Sequence, residues 1–95
     1  MLIKLASVNE EVINFNSAQG HKNYTVTQVY INPQHIVVLK EDIQYVELNV
    51  KNKLPDIFEK GQNFTRILLN RGSVGEEITV IGDLKSIATI INEGR

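Results

Sequence analysis

The sequence predicts an α+β, mainly β fold: a small curled antiparallel sheet or barrel of five to six strands with one C-terminal helix. Val, Ile and Thr make up 27 of the 95 residues, and their branched side chains favour pleated strands. Several segments alternate apolar and polar residues, which is the period of a half-buried strand. Only the last segment has apolar residues at helical spacing. The length predicts a single domain over residues 1–95.

The N-terminal part of the chain predicts a strand, a turn and a loop. Leu2–Val8 alternates in the manner of a half-buried strand, and Val12–Phe15 continues it after a turn near Asn9 and Glu10. Residues 16–24 are polar and contain a glycine, which predicts a loop.

The middle of the chain predicts three more strands. Thr25–Ile31 alternates, and the turn Asn32–His35 follows, in which a proline fixes φ. Ile36–Lys40 is a short apolar run, typical of a strand buried on both faces, and Ile43–Val50 alternates again. We expect Thr25–Ile31 and Ile36–Lys40 to be the open edges of the sheet.

The last part predicts a hairpin and the helix. Pro55–Gly61 fits one helical turn closed by glycine. Phe64–Asn70 and Glu76–Ile81 are strands joined by a glycine-containing turn. Asp83 is a good N-cap, and a C-terminal glycine, Gly94, suits the other end of the helix. The predicted apolar face of this helix consists of Leu84, Ile87, Ala88 and Ile91.

The composition excludes several kinds of site. There is no cysteine, so disulfides, thiolate nucleophiles and zinc–thiolate sites are ruled out. Ten basic and 11 acidic residues give a net charge of −1, without the basic excess typical of phosphate binders. No apolar stretch is long enough for a membrane helix, and the N-terminus does not resemble a signal peptide. We therefore expect a cytoplasmic protein without a membrane partner.

No pattern of catalytic residues is visible. His21 and His35 have no His or carboxylate two to four residues further on, so exposed loop histidines are favoured over metal ligands. The paired acidic residues sit at predicted strand ends, where adjacent side chains point to opposite faces. Gly72–Gly75 joins two strands and lacks the lysine of a phosphate-binding loop. The sequence thus predicts neither an enzyme nor a cofactor.

Basic and aromatic residues are interspersed in the region 40–71, and the polar loop 16–24, earlier in the chain, could line a small-ligand or nucleotide site. An exposed set of this kind stacks bases and binds phosphates. The alternative, which the interspersed acidic residues favour, is that the aromatic rings form the core and the lysines the surface. Candidate ligand-binding residues are His21, Lys22, Tyr24, Lys40, Tyr45, Arg66 and Arg71.

Three short segments carry a resemblance. They are the N-terminal Met1–Leu5, Ile31–Val37 with its Asn-Pro turn, and Thr65–Gly72, followed by a strand and a closing helix. This order resembles the small flagellar-operon FlbD-like proteins and related short β-proteins of bacteria and phages. The chain has extra residues around 9–24 and 42–63. The resemblance implies a small cytoplasmic accessory or regulatory protein rather than an enzyme.

The sequence therefore predicts a non-enzymatic binding or regulatory protein that acts through protein–protein contact as a homo-oligomer, because open sheet edges are removed by pairing with another copy. The first alternative is a nucleic-acid-binding module that uses the basic and aromatic region 40–71. The second is a phage-type protein that inhibits a host component or sequesters a nucleotide between subunits.

Overall fold

The computed structural model describes residues 1–13, 21–51, 53–55, 57–59, 61–71 and 74–94, with the backbone alone at 12, 13, 21, 22, 71 and 74. These residues form an α+β fold with a five-stranded antiparallel sheet and two α-helices, the second of which is C-terminal. The predicted fold class is confirmed. The elements are β1 (Ile3–Ile13), β2 (His21–Ile31), a 3-10 turn (Pro33–His35), β3 (Ile36–Glu41), α1 (Ile43–Val50), β4 (Phe64–Arg71), β5 (Val74–Ile81) and α2 (Leu84–Gly94).

The strand order is β2-β1-β5-β4-β3, so β2 and β3 are the two edges, as predicted. They are nevertheless consecutive in the chain, joined by residues 32–35. Five links from Ile31 to Ile36 reach at most ~18 Å. Four strand spacings in a flat sheet add up to ~19 Å, and the 3-10 turn shortens the reach further. The sheet must therefore curl to bring its edges towards each other.

Each face of the sheet is covered by one helix and forms its own core. The first core lies under α2 and the second lies under α1 and the segment that follows it. Successive side chains of β4 point to opposite faces of the sheet, so the strand contributes Ile67 and Leu69 to the first core and Phe64 to the second. The buried members of the first core are Ile3, Leu5, Ile31, Ile67, Leu69, Val80, Ile87 and Ile91. Those of the second are Val8, Tyr45, Leu54, Phe58 and Phe64.

Helix α2 begins and docks largely as predicted. The carboxylate of Asp83 accepts a hydrogen bond from the backbone N–H of Ser86 at 3.1 Å, which caps the helix. Ile87 and Ile91 are buried, and each contributes about 1.5–3 kcal/mol to stability. Leu84, by contrast, is 39% exposed and seals little of the sheet.

Two glycines let α2 approach the sheet closely. Gly82 has φ +133°, and a Cβ there would lie 2.9 Å from Cδ1 of Ile87. At Gly94 a Cβ would collide with the side chain of Ile3. Gly94 is the last residue of the helix, so packing as well as helix termination favours glycine at this position.

The strand predicted for Ile43–Val50 is wrong: these residues form α1. Asp42 precedes the helix and its side chain accepts a hydrogen bond from the N–H of Tyr45, which satisfies a free helix-terminal donor. Tyr45 and Asn49, one helical turn apart, are the buried residues. The segment carries apolar residues at both helical and strand spacing, and the N-cap favours the helix.

Three further boundaries differ from the predictions. β1 runs without a turn through Asn9 and Glu10 to Ile13, and residues 14–15 lie outside the described part. Residues 21–24 of the predicted loop belong to β2, while 16–20 are not described. Ile36–Lys40 is not buried on both faces, since Val37 and Val38 are 57% and 43% exposed on an edge strand.

The described part of the connection from α1 to β4 contains hydrogen-bonded turns where one helical turn was predicted, one of them closed by the N–H of Gln62, which donates to the carbonyl of Glu59 at 3.1 Å. The N–H of Phe58 donates to the carbonyl of Pro55 at 3.2 Å, and Gly61 has φ +80°. Residues 56 and 60 lie outside the description. Neither helix in the described ranges has the length and apolar character needed to span a membrane.

Candidate functional site

The outer edge of β2 is the most distinctive surface of the described chain. Residues 23–31 read Asn-Tyr-Thr-Val-Thr-Gln-Val-Tyr-Ile and contain no charge, no glycine and no proline. Seven of these nine side chains are aromatic or β-branched, the types that favour strands. Such a sequence favours an extended strand, and β1 is the neighbour with which it pairs.

The pairing of β2 with β1 is long and regular. All 11 residues of β2 have a partner in β1, from Ile31 opposite Ile3 to His21 opposite Ile13, without a bulge. On its other side β1 meets β5 at Ser7 and Val8 alone among the described residues. Much of the hairpin is therefore a two-stranded ribbon, and no described strand pairs with the outer edge of β2.

Side chains on both faces of β2 are accessible. Val26 and Tyr30 are 41% and 64% exposed, and Thr25, Thr27 and Gln28 are also exposed. In an antiparallel pair every second residue directs its N–H and C=O away from the neighbour. β2 thus presents a row of backbone donors and acceptors between side chains that a partner could contact.

The opposite edge, β3, is built differently. It has six residues, and its pairing with β4 shifts register between Ile36 and Val38, which marks a bulge. It ends in Lys40 and Glu41, both exposed charges. Short length, a bulge and charged residues are the devices that protect sheet edges from unwanted pairing.

A buried carboxylate holds the end of β3 in place. The side chain of Asp42 is 0% exposed. Oδ2 accepts from Nε of Arg66 at 3.3 Å and from the hydroxyl of Thr79 at 2.7 Å. Oδ1 accepts from the N–H of Tyr45 at 3.2 Å and from Nη2 of Arg66 at 3.4 Å. Because these donors surround it and no solvent reaches it, Asp42 links β3, β4, β5 and α1 rather than offering a group to a substrate.

Arg66 is the partly exposed partner in this cluster, with 27% of its side chain accessible. Its Nη2 also donates to Oε1 of Gln44 at 3.4 Å, and its Nη1 lies 3.9 Å from a carboxylate oxygen of Glu77. The guanidinium is thus surrounded by protein acceptors. An incoming phosphate would compete with two carboxylates for it.

Tyr45 continues the cluster towards β1 and β2. Its hydroxyl donates to Oε2 of Glu10 at 3.3 Å, and its ring meets that of Tyr24 edge-on at a centroid distance of 6.0 Å. Burial, followed by the negative charge of Glu10, raises the pKa of Tyr45 to about 12. The phenol is therefore a hydrogen-bond donor throughout the physiological pH range.

A cleft of about 490 Å³ lies between the end of β2 and the β4–β5 hairpin. Its volume is within the range of small-ligand sites. Because Val29, Tyr30 and Ile31 line it, anything bound along the end of β2 would border this cleft. The remaining lining residues are Leu2, Asn32, His35, Leu69, Glu76 and Ile78. Among the described side chains no group of three or more His, Asp or Glu is placed to hold a metal ion.

The structure brings four of the seven predicted site residues together in two pairs. Tyr24 contacts Tyr45, and Lys40 is the cross-strand neighbour of Arg66. Asp42, which the sequence did not single out, joins the pairs through its bonds to Tyr45 and Arg66. The remaining three are His21 and Lys22 at the start of β2 and Arg71 at the end of β4, whose side chains lie outside the described part.

The aromatic residues of region 40–71 lie in the second core. Tyr45, Phe58 and Phe64 are 8%, 6% and 0% exposed, and their rings contact one another through Phe64. Buried rings cannot stack on bases. The nucleic-acid alternative therefore stays a prediction with no structural observation in its favour.

Comparisons of the chain with protein-family models, with curated proteins and with solved structures find no match. The resemblance to the FlbD-like proteins remains a prediction.

Proposed function

We propose that the protein is a non-enzymatic binding or regulatory protein that acts through protein–protein contact, as a homo-oligomer, and that the outer edge of β2 is its contact surface. The observation that supports this is the contrast between β2, which is long, regular and uncharged from Asn23 to Ile31, and the protected edge β3. The proposal concerns the edge itself, which needs no catalytic group.

The physical reason is the unused hydrogen-bonding capacity of an edge strand. Backbone N–H and C=O groups that point outward bond to water in the free chain, and an incoming strand replaces that water in register. The main chain then supplies affinity, while the side chains of β2 supply specificity. A second copy brings an identical edge, so one symmetric contact removes both open edges at once.

The regulatory role and the cytoplasmic location belong to the same proposal. They are supported by the absence of cysteine, by the small size of the chain and by its resemblance to FlbD-like accessory proteins. A small protein that presents a binding edge can act by occupying a partner, without a catalytic step.

A matched pair of lysine substitutions tests the contact surface. Val26 on β2 and Val38 on β3 are 41% and 43% exposed, and both lie within edge strands. Val26→Lys places a charge in the middle of the β2 edge, where pairing would desolvate it, whereas Val38→Lys adds the same charge to the other edge. Sedimentation velocity across micromolar concentrations measures the association of each variant.

The wild-type protein and Val38→Lys are expected to associate equally, and Val26→Lys at least ~10-fold more weakly, which corresponds to ~1.4 kcal/mol. A wild-type protein that stays monomeric at high micromolar concentration would contradict the proposal. So would an equal loss of association in both variants. Circular dichroism spectra that match the wild type verify that each variant folds.

A further inference from the structure

Two tyrosines and two β-branched residues of β2 are placed symmetrically about Thr27, although its immediate neighbours Val26 and Gln28 differ. Tyr24 and Tyr30 lie three residues to either side, and Thr25 and Val29 lie two residues to either side. All of these positions are paired with β1 in one unbroken register, so alternate residues share a face along the whole stretch. Tyr24 and Tyr30 are therefore on one face, and Thr25, Thr27 and Val29 are on the other.

This symmetry matters because two identical antiparallel strands pair about a two-fold axis. Such an axis passes through one residue and its own copy, so that positions equally far before and after it face each other. We infer that two copies of this chain pair β2 to β2 with the two-fold axis at Thr27, joining their sheets into one. The inference rests on the proposed function and adds the orientation and register of the contact.

In this register two kinds of cross-strand pair are favourable, and Val26 faces Gln28 of the partner subunit without a specific contact. Tyr24 of one copy faces Tyr30 of the partner subunit, and symmetry repeats the pair, giving two aromatic contacts on one face. On the other face Thr25 pairs with Val29 of the partner subunit, and two β-branched side chains of this kind pack well between strands. No charge lies between Asn23 and Ile31, so no like-charge pair forms.

Neighbouring registers lose these contacts. With the axis at Val26, Tyr24 would face Gln28, and with the axis at Gln28, Tyr30 would face Val26. Either shift separates both tyrosine pairs. Tyr30, which is 64% exposed in the single chain, gains its aromatic partner with the axis at Thr27.

The register is tested by disulfide cross-linking, since the chain has no cysteine of its own. At the axis the two Cα atoms of residue 27 would lie ~4.5 or ~5.5 Å apart, depending on the type of pair, which is within the range of a disulfide. Thr27→Cys should therefore form a covalent dimer under mild oxidation. It loses one hydrogen bond from Asn9 to the Thr27 hydroxyl, at an exposed position.

Single cysteines two residues from the axis are the controls. Two copies of residue 25 would lie ~14 Å apart, too far for a disulfide, and the same holds for residue 29. Thr25→Cys alone and Val29→Cys alone should cross-link at least ~10-fold more slowly than Thr27→Cys. An equimolar mixture of the two should form the mixed disulfide. Non-reducing electrophoresis and mass spectrometry identify each product.

The outcomes separate this inference from the proposed function. Selective cross-linking at Thr27→Cys, together with dissociation by Val26→Lys, supports both. Dissociation by Val26→Lys with cross-linking strongest at Val26→Cys or Gln28→Cys, or with none at Thr27→Cys, overturns the register and leaves the β2 contact standing. Association that Val26→Lys does not weaken overturns the contact itself, and the register with it.

Discussion

The two edges of the sheet differ in how well they are protected from pairing with another strand. β3 has six residues, a bulge and a charged end, so another strand finds little regular backbone to pair with. β2 has 11 residues in unbroken register and no charge from Asn23 to Ile31. A protein that protects one edge has the means to protect both. The unprotected edge is therefore the place to look for a partner.

The difference also lies in how each edge is anchored. β3 leads directly into Asp42, whose carboxylate bonds to Arg66 on β4 and Thr79 on β5. β2 is bonded to β1, which meets β5 over a short stretch. The edge at β3 is thus part of the folded core, whereas the edge at β2 projects on a ribbon. Substitutions should therefore affect the two edges differently. Changes at the Asp42 anchor of β3 should lower stability, and changes at β2 should weaken association.

The largest effect is expected for Asp42→Ala. The substitution removes the cap of α1 and leaves Arg66 without its closest carboxylate. Loss of one partner of a buried pair costs about 3–5 kcal/mol, and we expect the lower end because Arg66 is 27% exposed and retains access to water. Thermal or urea unfolding measures the loss.

The matched control is Asp83→Ala, which removes the exposed cap of α2 and should lower the stability much less than Asp42→Ala does. Equal losses in the two variants would show that burial and the bond to Arg66 add nothing to the role of Asp42 as a cap. The anchoring of β3 would then have to be assigned elsewhere.

The second effect concerns assembly rather than stability. The double variant Lys40→Thr, Glu41→Thr removes the charges that end β3 and leaves β-branched residues in their place. With both edges open, each subunit can pair with two others, so association continues beyond the symmetric dimer into open-ended assemblies. Light scattering should report larger species than for the wild type. A mass distribution unchanged from the wild type would mean that the bulge between Ile36 and Val38 protects β3 without help.

The sequence predicted the strands that form both edges because apolar runs, alternation and turn residues are local signals. Thr25–Ile31 carries a clear period of two, and Asn32–His35 contains the turn residues that end it. The docking of α2 could be predicted for the same reason, since Asp83 is at the N-cap position and Ile87 and Ile91 lie one helical turn apart on its apolar face.

What the sequence did not predict depends on tertiary contacts. Ile43–Val50 suits either a strand or a helix, and the buried bonds of Asp42 to Tyr45, Arg66 and Thr79 accompany the helix. These partners lie up to 37 residues away in the chain, so no local pattern reveals them. An acidic residue directly before an ambiguous apolar segment was the one available signal.

A third, smaller effect is expected at high pH. The pKa of Tyr45 is raised from its ordinary value of 10 to about 12, so the unfolded chain loses this proton at lower pH than the folded chain does. The stability linked to Tyr45 is therefore complete below pH 10 and is lost as the pH rises through 12. Tyr45→Phe removes this pH dependence, together with the hydrogen bond to Glu10, which contributes about 1 kcal/mol near neutral pH. Urea unfolding of both proteins at neutral and alkaline pH measures the difference. If the free energy of unfolding falls equally with pH in the wild type and the variant, the alkaline pH dependence belongs to other groups.

The smallest expected effect is the response of association to salt. The strand Asn23–Ile31 carries no charge, so a contact made there has little to screen. Raising the salt concentration from about 0.1 M to about 1 M shortens the Debye length from about 10 Å to about 3 Å, and the dissociation constant should change by less than ~3-fold. A protein that binds through Lys and Arg to phosphates would lose affinity steeply over the same range. Sedimentation equilibrium at several salt concentrations measures the slope. A steep dependence of the dissociation constant on salt would indicate that the contact lies on a charged surface, such as the end of β3 with Lys40 and Glu41. The two edges would then exchange the roles assigned to them.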